Sequence, residues 1–303
     1  MATIYEIQTE KILNKFEEAK REGKTFRWVQ PWVGGIRIAR SYTTGKPYRG
    51  INRINLDLGE YITFNQVKEL QKKNEEIEIK RGCHMLPVFF SSKMNLIDEE
   101  DGTEDEIFFT RFYKVFNIKD IKGIEPKFKE VHFTHTPTEN TELLEAYLNA
   151  FYSAENSPKI NYIYGSEKAY FTPATNSITV PTKDTFKSLY EYYGTVLHET
   201  THSTGLPLKR KIQNSFGNEE YSYEELVAEI GSSMALSIFG IVDDLPDNNL
   251  AYIQGWVRKL TDQPKMITQA SSQAQKAVDY FITTAEKYLN IKDEEKISTL
   301  INQ

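Results

Sequence analysis

The clearest hydrophobic pattern in the chain lies past its midpoint, where apolar residues recur at the spacing of one helix face. These residues are Phe186, Leu189, Tyr190, Tyr193 and Leu197. The stretch Pro181–Asp184 in front of them has the composition of a helix start. Gly205 followed by Pro207 has the composition of a helix end. The pattern therefore predicts an amphipathic helix that ends just before Gly205.

The remaining patterns divide the chain into an α+β N-terminal part and a mainly helical C-terminal part. The N-terminal part is predicted to contain a helix at 4–22, a strand passing into a helix at 61–70, and strands at 85–91 and 107–118. The C-terminal part is predicted to contain a helix at 141–154, a hairpin of 169–173 with 177–181, a helix from 221, and two helices beyond 240. Residues 125–140 carry turn formers without a helical period. We therefore expect two domains, at 1–130 and 140–303.

The helix before Gly205 carries the sequence His198-Glu-Thr-Thr-His202. Residues at i and i+4 lie one above the other on a helix, so both imidazoles can bind one metal ion. Glu199 follows the first histidine, where its carboxylate can act as a general base toward water. The motif fixes only three positions, and its alternative is an ordinary amphipathic helix that happens to carry these residues. The helix end directly after His202 favours the metal site.

A third ligand is expected from the helix that begins near Tyr221, because zinc sites of this kind take a carboxylate from a second helix. A further carboxylate can hold a ligand histidine by its free N–H. Glu225 and Glu229 are four residues apart and share a face. We expect Glu225 to be the ligand and Glu229 to hold a histidine. Glu224, or Glu225 and Glu229 with their roles exchanged, are open alternatives at this stage.

Composition bounds the class of protein. The chain has 303 residues and a single cysteine, Cys83, which excludes an intramolecular disulfide and is typical of a reducing compartment. No basic segment precedes an apolar run at the N-terminus, and no apolar run approaches the ~20 residues that span a bilayer. We therefore expect a soluble cytoplasmic protein with no membrane partner.

The net charge of -6 conceals a basic segment between Gly23 and Leu56 that contains neither Asp nor Glu. Its cations are Lys24, Arg27, Arg37, Arg40, Lys46, Arg49 and Arg53, and its aromatic residues include Trp28, Trp32, Tyr42 and Tyr48. Aromatic rings stack on unpaired bases and cations follow phosphates, so this mixture predicts single-stranded nucleic acid as a partner. The alternative is a loop-rich β segment with buried aromatic residues and a solvated basic face.

Two blocks of the sequence together resemble one family. Thr44–Asn52 (TGKPYRGIN), with Trp32 and the later Phe112–Ile118 (FYKVFNI), resembles the single-stranded-DNA-binding domain of ArdC-type antirestriction proteins of conjugative plasmids and related mobile elements. That domain is also similar to the N-terminal part of TraC-type plasmid primases. The block YYGTVLHETTHSTG followed by FGNEEYSYEELVAEIG resembles the family's zincin-like metallopeptidase domain. The resemblance extends along essentially the whole chain.

The resemblance implies binding of single-stranded DNA and protection of incoming DNA from host restriction. The three expected N/O ligands predict one divalent metal ion, Zn²⁺ first with Mn²⁺ as the alternative. We expect DNA contacts from Trp32, Tyr42, Tyr48, Arg49 and Arg53. We expect the metal ligands to be His198, His202 and Glu225, with Glu199 as the catalytic base. The resemblance does not settle whether the metal site cleaves peptides and identifies no physiological peptide substrate, so a protein or peptide partner stays open. The metal site could therefore be structural or silent, or the protein could be a metallopeptidase whose DNA binding only localises it.

Overall fold

The computed structural model describes residues 3–23, 26, 28, 38–97, 104–128, 137–212, 219–241, 250–293 and 296–300. Its contacts divide the chain into two compact units. The large unit comprises Met1–Arg37, Arg49–Asn55 and Glu130–Gln303, and the small unit comprises Ile38–Tyr48 and Leu56–Lys129. The division confirms the two-domain α+β class. It also shows that the chain leaves and re-enters the large unit within the basic segment.

The small unit is a four-stranded sheet with the order β1-β2-β5-β4. Its strands are β1 (Arg40–Ser41), β2 (Glu60–Thr63), β4 (Leu86–Ile97) and β5 (Glu104–Asn117), and a two-stranded sheet joins β3 (Glu78–Ile79) to β6 (Ile121–Lys122). β1 runs parallel to β2, and the other pairs are antiparallel. β4 and β5 form one long hairpin in which Val88 lies opposite Tyr113 and Phe89 opposite Phe112.

One helix of the small unit, α3 (Phe64–Gln71), begins directly after β2. Its start follows from a capping box: the Thr63 hydroxyl accepts from the Gln66 N–H, and the Gln66 side chain accepts from the Thr63 N–H. Val67 on this helix is fully buried against the sheet, in a cluster that also contains Tyr42, Ile62 and Phe116. The core of the small unit therefore includes an aromatic residue of the basic segment.

The large unit is mainly helical. Its helices are α1 (Ile4–Arg21), α2 (Ile51–Asn55), α4 (Pro137–Ser153), α5 (Leu189–Ser203), α6 (Glu219–Ile238), α7 (Leu250–Asp262), α8 (Lys265–Glu286) and α9 (Ile297–Leu300). α6 packs against both α5 and α8, and α1 packs against α7 and α8. Ile12 and Phe16 on α1 are fully buried. By these contacts the first helix groups with the C-terminal helices. The domain bounds expected from the sequence, 1–130 and 140–303, stay a prediction.

Three strands accompany these helices in the order β7-β9-β8: β7 (Lys159–Ile163), β8 (Tyr170–Thr172) and β9 (Ser177–Pro181). β8 and β9 form the antiparallel hairpin that the sequence predicted. β7 was missed, because it is only five residues long and mostly exposed.

The predicted start of the metal helix is wrong by several residues. Lys183–Thr185 forms only a single 3₁₀ turn, and α5 begins at Leu189. Ser188 is the N-cap, and its hydroxyl accepts a hydrogen bond from the Glu191 N–H at 3.1 Å. None of the helices in the described ranges is long and apolar enough to cross a bilayer.

Candidate metal centre

Three side chains from α5 and α6 converge on one point. The Nε2 atoms of His198 and His202 are 3.1 Å apart. The carboxylate of Glu225 lies 3.4 Å from the His198 Nε2 atom and 3.5 Å from the His202 Nε2 atom. A tetrahedral ion with bonds of about 2.0–2.1 Å separates its ligand atoms by about 3.3–3.4 Å. The triangle therefore fits one metal ion, and within the described ranges these three residues form the group able to hold one.

Close packing of α5 on α6 brings Glu225 to the two histidines. Gly231 on α6 faces Thr201, the neighbour of His202, and a Cβ atom at Gly231 would lie 2.7 Å from the Thr201 Cγ2 atom. Such a contact is too short for any side chain, so only glycine permits this separation of the helices. The Thr201 hydroxyl is turned inward and donates to the Leu197 carbonyl at 2.8 Å. The close approach of α5 and α6 thus depends on glycine at position 231, which has no side chain.

The other ring nitrogen of His202 faces Glu224. The His202 Nδ1 atom lies 3.2 Å from the Glu224 Oε1 atom, and both side chains are almost wholly buried. A histidine that donates its Nδ1–H to a carboxylate presents the lone pair of Nε2 to a metal. We expected Glu229 in this role, one helical turn after the ligand. Glu224 lies there instead. Neighbouring residues on a helix point about 100° apart, so Glu224 reaches the Nδ1 side of the His202 ring and Glu225 the Nε2 side.

Arg210 completes this cluster. Its guanidinium donates to both carboxylate oxygens of Glu224, from Nε at 3.1 Å and from Nη2 at 2.9 Å. It also donates to the Thr204 hydroxyl at 2.9 Å and to the Thr201 carbonyl at 2.7 Å. Sequence analysis missed Arg210, because an arginine in the turn after a helix carries no pattern of its own.

The charges of these groups follow from their neighbours. Burial alone would raise the pKa of Glu225, but hydrogen bonds from His198 and His202 hold it well below the ordinary value. Burial likewise opposes ionisation of Glu224, and His202 and Arg210 overcome it and lower the Glu224 pKa. Burial would lower the pKa of His202, whereas its bonds to Glu224 and Glu225 raise it to about 9. Both glutamates are therefore carboxylates at neutral pH, as a cation site requires.

Glu199 occupies a different environment on the same helix. Burial raises its pKa above the ordinary value, and the nearby His198 and His202 only partly offset that effect. Its carboxylate also accepts a hydrogen bond from the backbone N–H of Phe171 on β8. A buried carboxylate with a raised pKa, beside a metal-ligand triangle, is suited to accept and return a proton.

The four expected DNA contacts that lie in the described ranges have different surroundings. Tyr42 and Tyr48 are buried in the core of the small unit, and the Tyr48 ring lies edge-on to that of Tyr61. Arg49 forms an ion pair with Asp279 on α8. Arg53 is partly buried, and burial lowers its pKa to about 10. Trp32 lies outside the described residues. Tyr42 and Tyr48 thus have no open ring face for a base, because the core of the small unit already covers them.

Other aromatic residues of the small unit do reach the surface. Phe90, Phe112 and Tyr113 on the β4–β5 hairpin are each 44–56% exposed. Lys114 and Arg111 beside them are also exposed. Phe112, Tyr113 and Lys114 are the first residues of the FYKVFNI block, so the signal that could have found them was already in the sequence.

Family models match both parts of the chain. A model of zincin-like metallopeptidases matches residues 147–273, and a model of the N-terminal domain of the anti-restriction factor ArdC matches residues 2–116. The first match contains the whole metal-ligand triangle. The zincin-like domain and its donor set of two imidazoles and a carboxylate indicate a divalent metal ion.

Similar proteins fall into two groups. Two proteins named DNA primase TraC from Escherichia coli are 28% and 30% identical over 93% and 95% of this chain, which spans only 20% and 28% of their own lengths. Uncharacterized protein y4eC of Sinorhizobium fredii is 26% identical, with 91% of each chain covered. Crystal structures of the antirestriction protein ArdC from plasmid R388 are similar along 95% of this chain and 100% of theirs. The metal-free form has 28% identity and a TM-score of 0.65, and the Mn(II)-bound form 27% and 0.66.

Proposed function

Because the chain belongs to the ArdC-type antirestriction proteins, we propose that it binds single-stranded DNA and hydrolyses peptide bonds at a zinc-dependent site in its large unit. The observation that carries the peptidase activity is the triangle of His198, His202 and Glu225 with Glu199 beside it. Two imidazoles and one carboxylate suit Zn²⁺ before Mn²⁺. The names of the N-terminal family model and of the similar crystal structures support the antirestriction context.

The chemistry divides between the ion and the protein. When bound, the divalent ion supplies Lewis-acid activation of a peptide carbonyl and of water. Glu199 accepts the proton of the attacking water and returns it to the leaving amine, and its raised pKa favours both transfers. Glu224 orients the His202 ring from the far side. The backbone of β8, which holds the Glu199 carboxylate through Phe171, borders the site where an extended peptide would lie.

The experiment for this activity is Glu199→Gln in the zinc-loaded full chain, with a mixed-sequence peptide library and mass spectrometry as the readout. We expect cleavage to fall by about 10²–10⁴-fold, while zinc and DNA still bind. Glu191→Gln, on the first turn of the same helix, is the matched control. A wild-type protein that binds zinc or manganese and cleaves nothing in the library would show that the metal is structural.

The same variant tests how restriction is overcome. If occupancy of the DNA is what protects it, Glu199→Gln should keep full protection of incoming DNA in a conjugation assay, while a DNA-binding variant should lose it. Loss of protection in Glu199→Gln would instead make peptide hydrolysis the protective step.

For DNA binding, we propose that the contact surface is the face of the β4–β5 hairpin that carries the exposed residues Phe112 and Lys114. Phe90 and Tyr113, which are also exposed, lie on the opposite face of the sheet. Exposed rings beside cations can stack on bases and pair with phosphates. Of the residues expected from the sequence, Tyr42 and Tyr48 would then support the sheet from within, and Arg49 would hold α2 to α8. Trp32 stays a candidate on its sequence alone.

The test measures binding of a fluorescent oligo-dT over a salt series. Replacement of Phe112 and Lys114 together by Ala should weaken binding by about 5–150-fold for one stacked base and flatten the salt dependence. The control is the same double change at Phe64 and Lys68 on α3, where Lys68 lies over the exposed Phe64 ring. A loss confined to Trp32→Ala would move the surface to the earlier segment. Double-stranded competitor of equal length tests strand preference.

A further inference from the structure

Arg210 makes four side-chain hydrogen bonds beside the metal triangle, and they go to Glu224, Thr204 and Thr201. It lies in the turn after α5, where its backbone N–H donates to the Gly205 carbonyl at 2.8 Å. The residue before it, Lys209, has a φ of 56°, so the chain reverses here in a left-handed conformation. The turn carries the side chain back under the helix, where it is only 4% exposed.

The guanidinium distributes its hydrogen bonds between two elements. One edge faces α6 and bonds both oxygens of Glu224. The remaining donors face the end of α5, at the Thr204 hydroxyl and the Thr201 carbonyl. A planar fork that donates to a carboxylate in this bidentate manner fixes its plane as well as its position. Glu224 is thus held in one orientation relative to the end of α5.

That orientation matters because α6 offers two adjacent glutamates to one site. Glu224 and Glu225 are chemically identical, and either could ligate a cation in place of the other. Arg210 occupies both oxygens of Glu224 and balances its charge, whereas Glu225 keeps its oxygens 3.4–3.5 Å from the histidine Nε2 atoms. Held in this way, Glu224 receives the Nδ1 side of His202 and turns the Nε2 side toward the triangle.

We propose that Arg210 is a positioning residue of the metal centre: through Glu224 it selects Glu225 as the ligand and holds His202 in its ligating orientation. The assignment rests on the proposed metal site but not on peptide hydrolysis. Arg210 therefore governs how tightly and in what geometry a divalent ion is held, although it acts only through Glu224 and His202.

The experiment titrates the full chain with Zn²⁺ against a competing chelator, and with Co²⁺ followed by visible absorption. We expect Arg210→Met to weaken zinc binding by about 10–100-fold, the usual effect of removing a partner beyond the ligands. The cobalt spectrum should change in shape, because His202 and Glu224 are no longer constrained. The zinc affinity of Arg210→Lys should lie between those of the wild type and Arg210→Met, since a single ammonium cannot donate to both Glu224 oxygens and to α5 together. Arg258→Met, at an exposed arginine on α7, should match the wild type.

Glu224→Gln shows whether the effect passes through that carboxylate. Because Arg210 and Glu224 act as one unit, the double variant Arg210→Met with Glu224→Gln should bind zinc no more weakly than the worse of the two single variants. If the fold-losses in zinc affinity of the two single variants multiply in the double variant, Arg210 does not act through Glu224. A folded Arg210→Met protein with wild-type zinc affinity and cobalt spectrum would overturn the assignment.

The arginine also braces the end of α5, so metal-free melting temperatures separate stability from positioning. If Arg210→Met does not fold, Arg210→Lys decides: weaker zinc binding with an altered spectrum supports the proposal, and unchanged binding overturns it. A wild-type protein that binds zinc but cleaves no peptide would refute the peptidase function and leave the role of Arg210 intact. The two outcomes are therefore distinguishable.

Discussion

The two units each bury a cluster of polar and aromatic side chains, but the clusters are built differently. In the small unit, Tyr48 packs edge-on against Tyr61, whose hydroxyl donates to the Asp57 carbonyl at 2.9 Å. In the large unit, two imidazoles and the Glu225 carboxylate point at a common centre. The first cluster pairs its polar atoms within the fold. The second directs several ligand atoms to one place, which is the arrangement of a binding site.

The difference teaches that burial alone does not distinguish a functional side chain from a structural one. Burial raises the pKa of Tyr61 to about 12 and raises that of Glu199 as well. The tyrosine nevertheless supports a sheet, whereas the glutamate stands beside a metal-ligand triangle. Convergence of ligand atoms, and not a perturbed pKa, separates the two clusters.

The largest expected effect is the loss of one ligand. His202→Ala should lower zinc affinity by more than the roughly 100-fold that follows from losing a partner beyond the ligands. The measurement is a zinc titration against a chelator. His84→Ala, at an exposed histidine of the small unit, should leave affinity unchanged. Equal losses in both variants would mean that binding is not centred on the α5 triangle.

Truncation in the small-unit cluster should act on stability instead. Tyr48 is 8% exposed, and Tyr48→Ala should destabilise the small unit by about 3–5 kcal/mol, as for other large aromatic residues in cores. Tyr164 is 82% exposed, and its truncation should change stability by no more than about 0.5 kcal/mol. Urea unfolding measures both. A stable Tyr48→Ala protein that has lost oligo-dT binding would restore Tyr48 as a direct DNA contact.

The close approach of Gly231 to the Thr201 side chain links helix packing to the metal centre. Gly231→Ala would force a methyl group against Thr201, and we expect destabilisation of about 1–3 kcal/mol with weaker metal binding, because α6 carries Glu225 away from the histidines. Gly255 on α7 has open space where its Cβ would be, so Gly255→Ala should be neutral or stabilise the protein by up to about 1 kcal/mol. Thermal melts with and without zinc measure these effects. Unchanged zinc affinity in Gly231→Ala would show that helix separation does not govern the site.

The smallest effect is expected at the basic segment's ion pair. Arg49 and Asp279 are 39% and 34% exposed, and the pair should contribute no more than about 1 kcal/mol. A double-mutant cycle of Arg49→Ala and Asp279→Ala measures this coupling directly. If the Arg49 charge is paired with Asp279, Arg49→Ala should leave the salt dependence of DNA binding nearly unchanged. A clearly flatter salt dependence would place Arg49 on a phosphate.

The sequence alone was sufficient where the arrangement of a candidate site depends on local geometry. The four-residue spacing of His198 and His202 places both rings on one face of any helix, and Glu199 accompanies them without reference to the rest of the fold. The same reasoning located the hairpin of β8 and β9 before the metal helix. These features depend on backbone periodicity, which the chain carries in every context.

Tertiary structure decided whatever depends on which surfaces meet. Glu224, Glu225 and Glu229 are equivalent in sequence, and the close packing of α6 on α5 and the Arg210 contact distinguish them. Tyr48 belongs to an aromatic-basic pattern that suits DNA, yet the sheet of the small unit covers it. The sequence specifies the type of each side chain and its spacing from others along the chain. Whether it faces solvent, a neighbouring helix or a ligand follows from long-range packing, because burial is a property of the assembled surfaces and not of the residue.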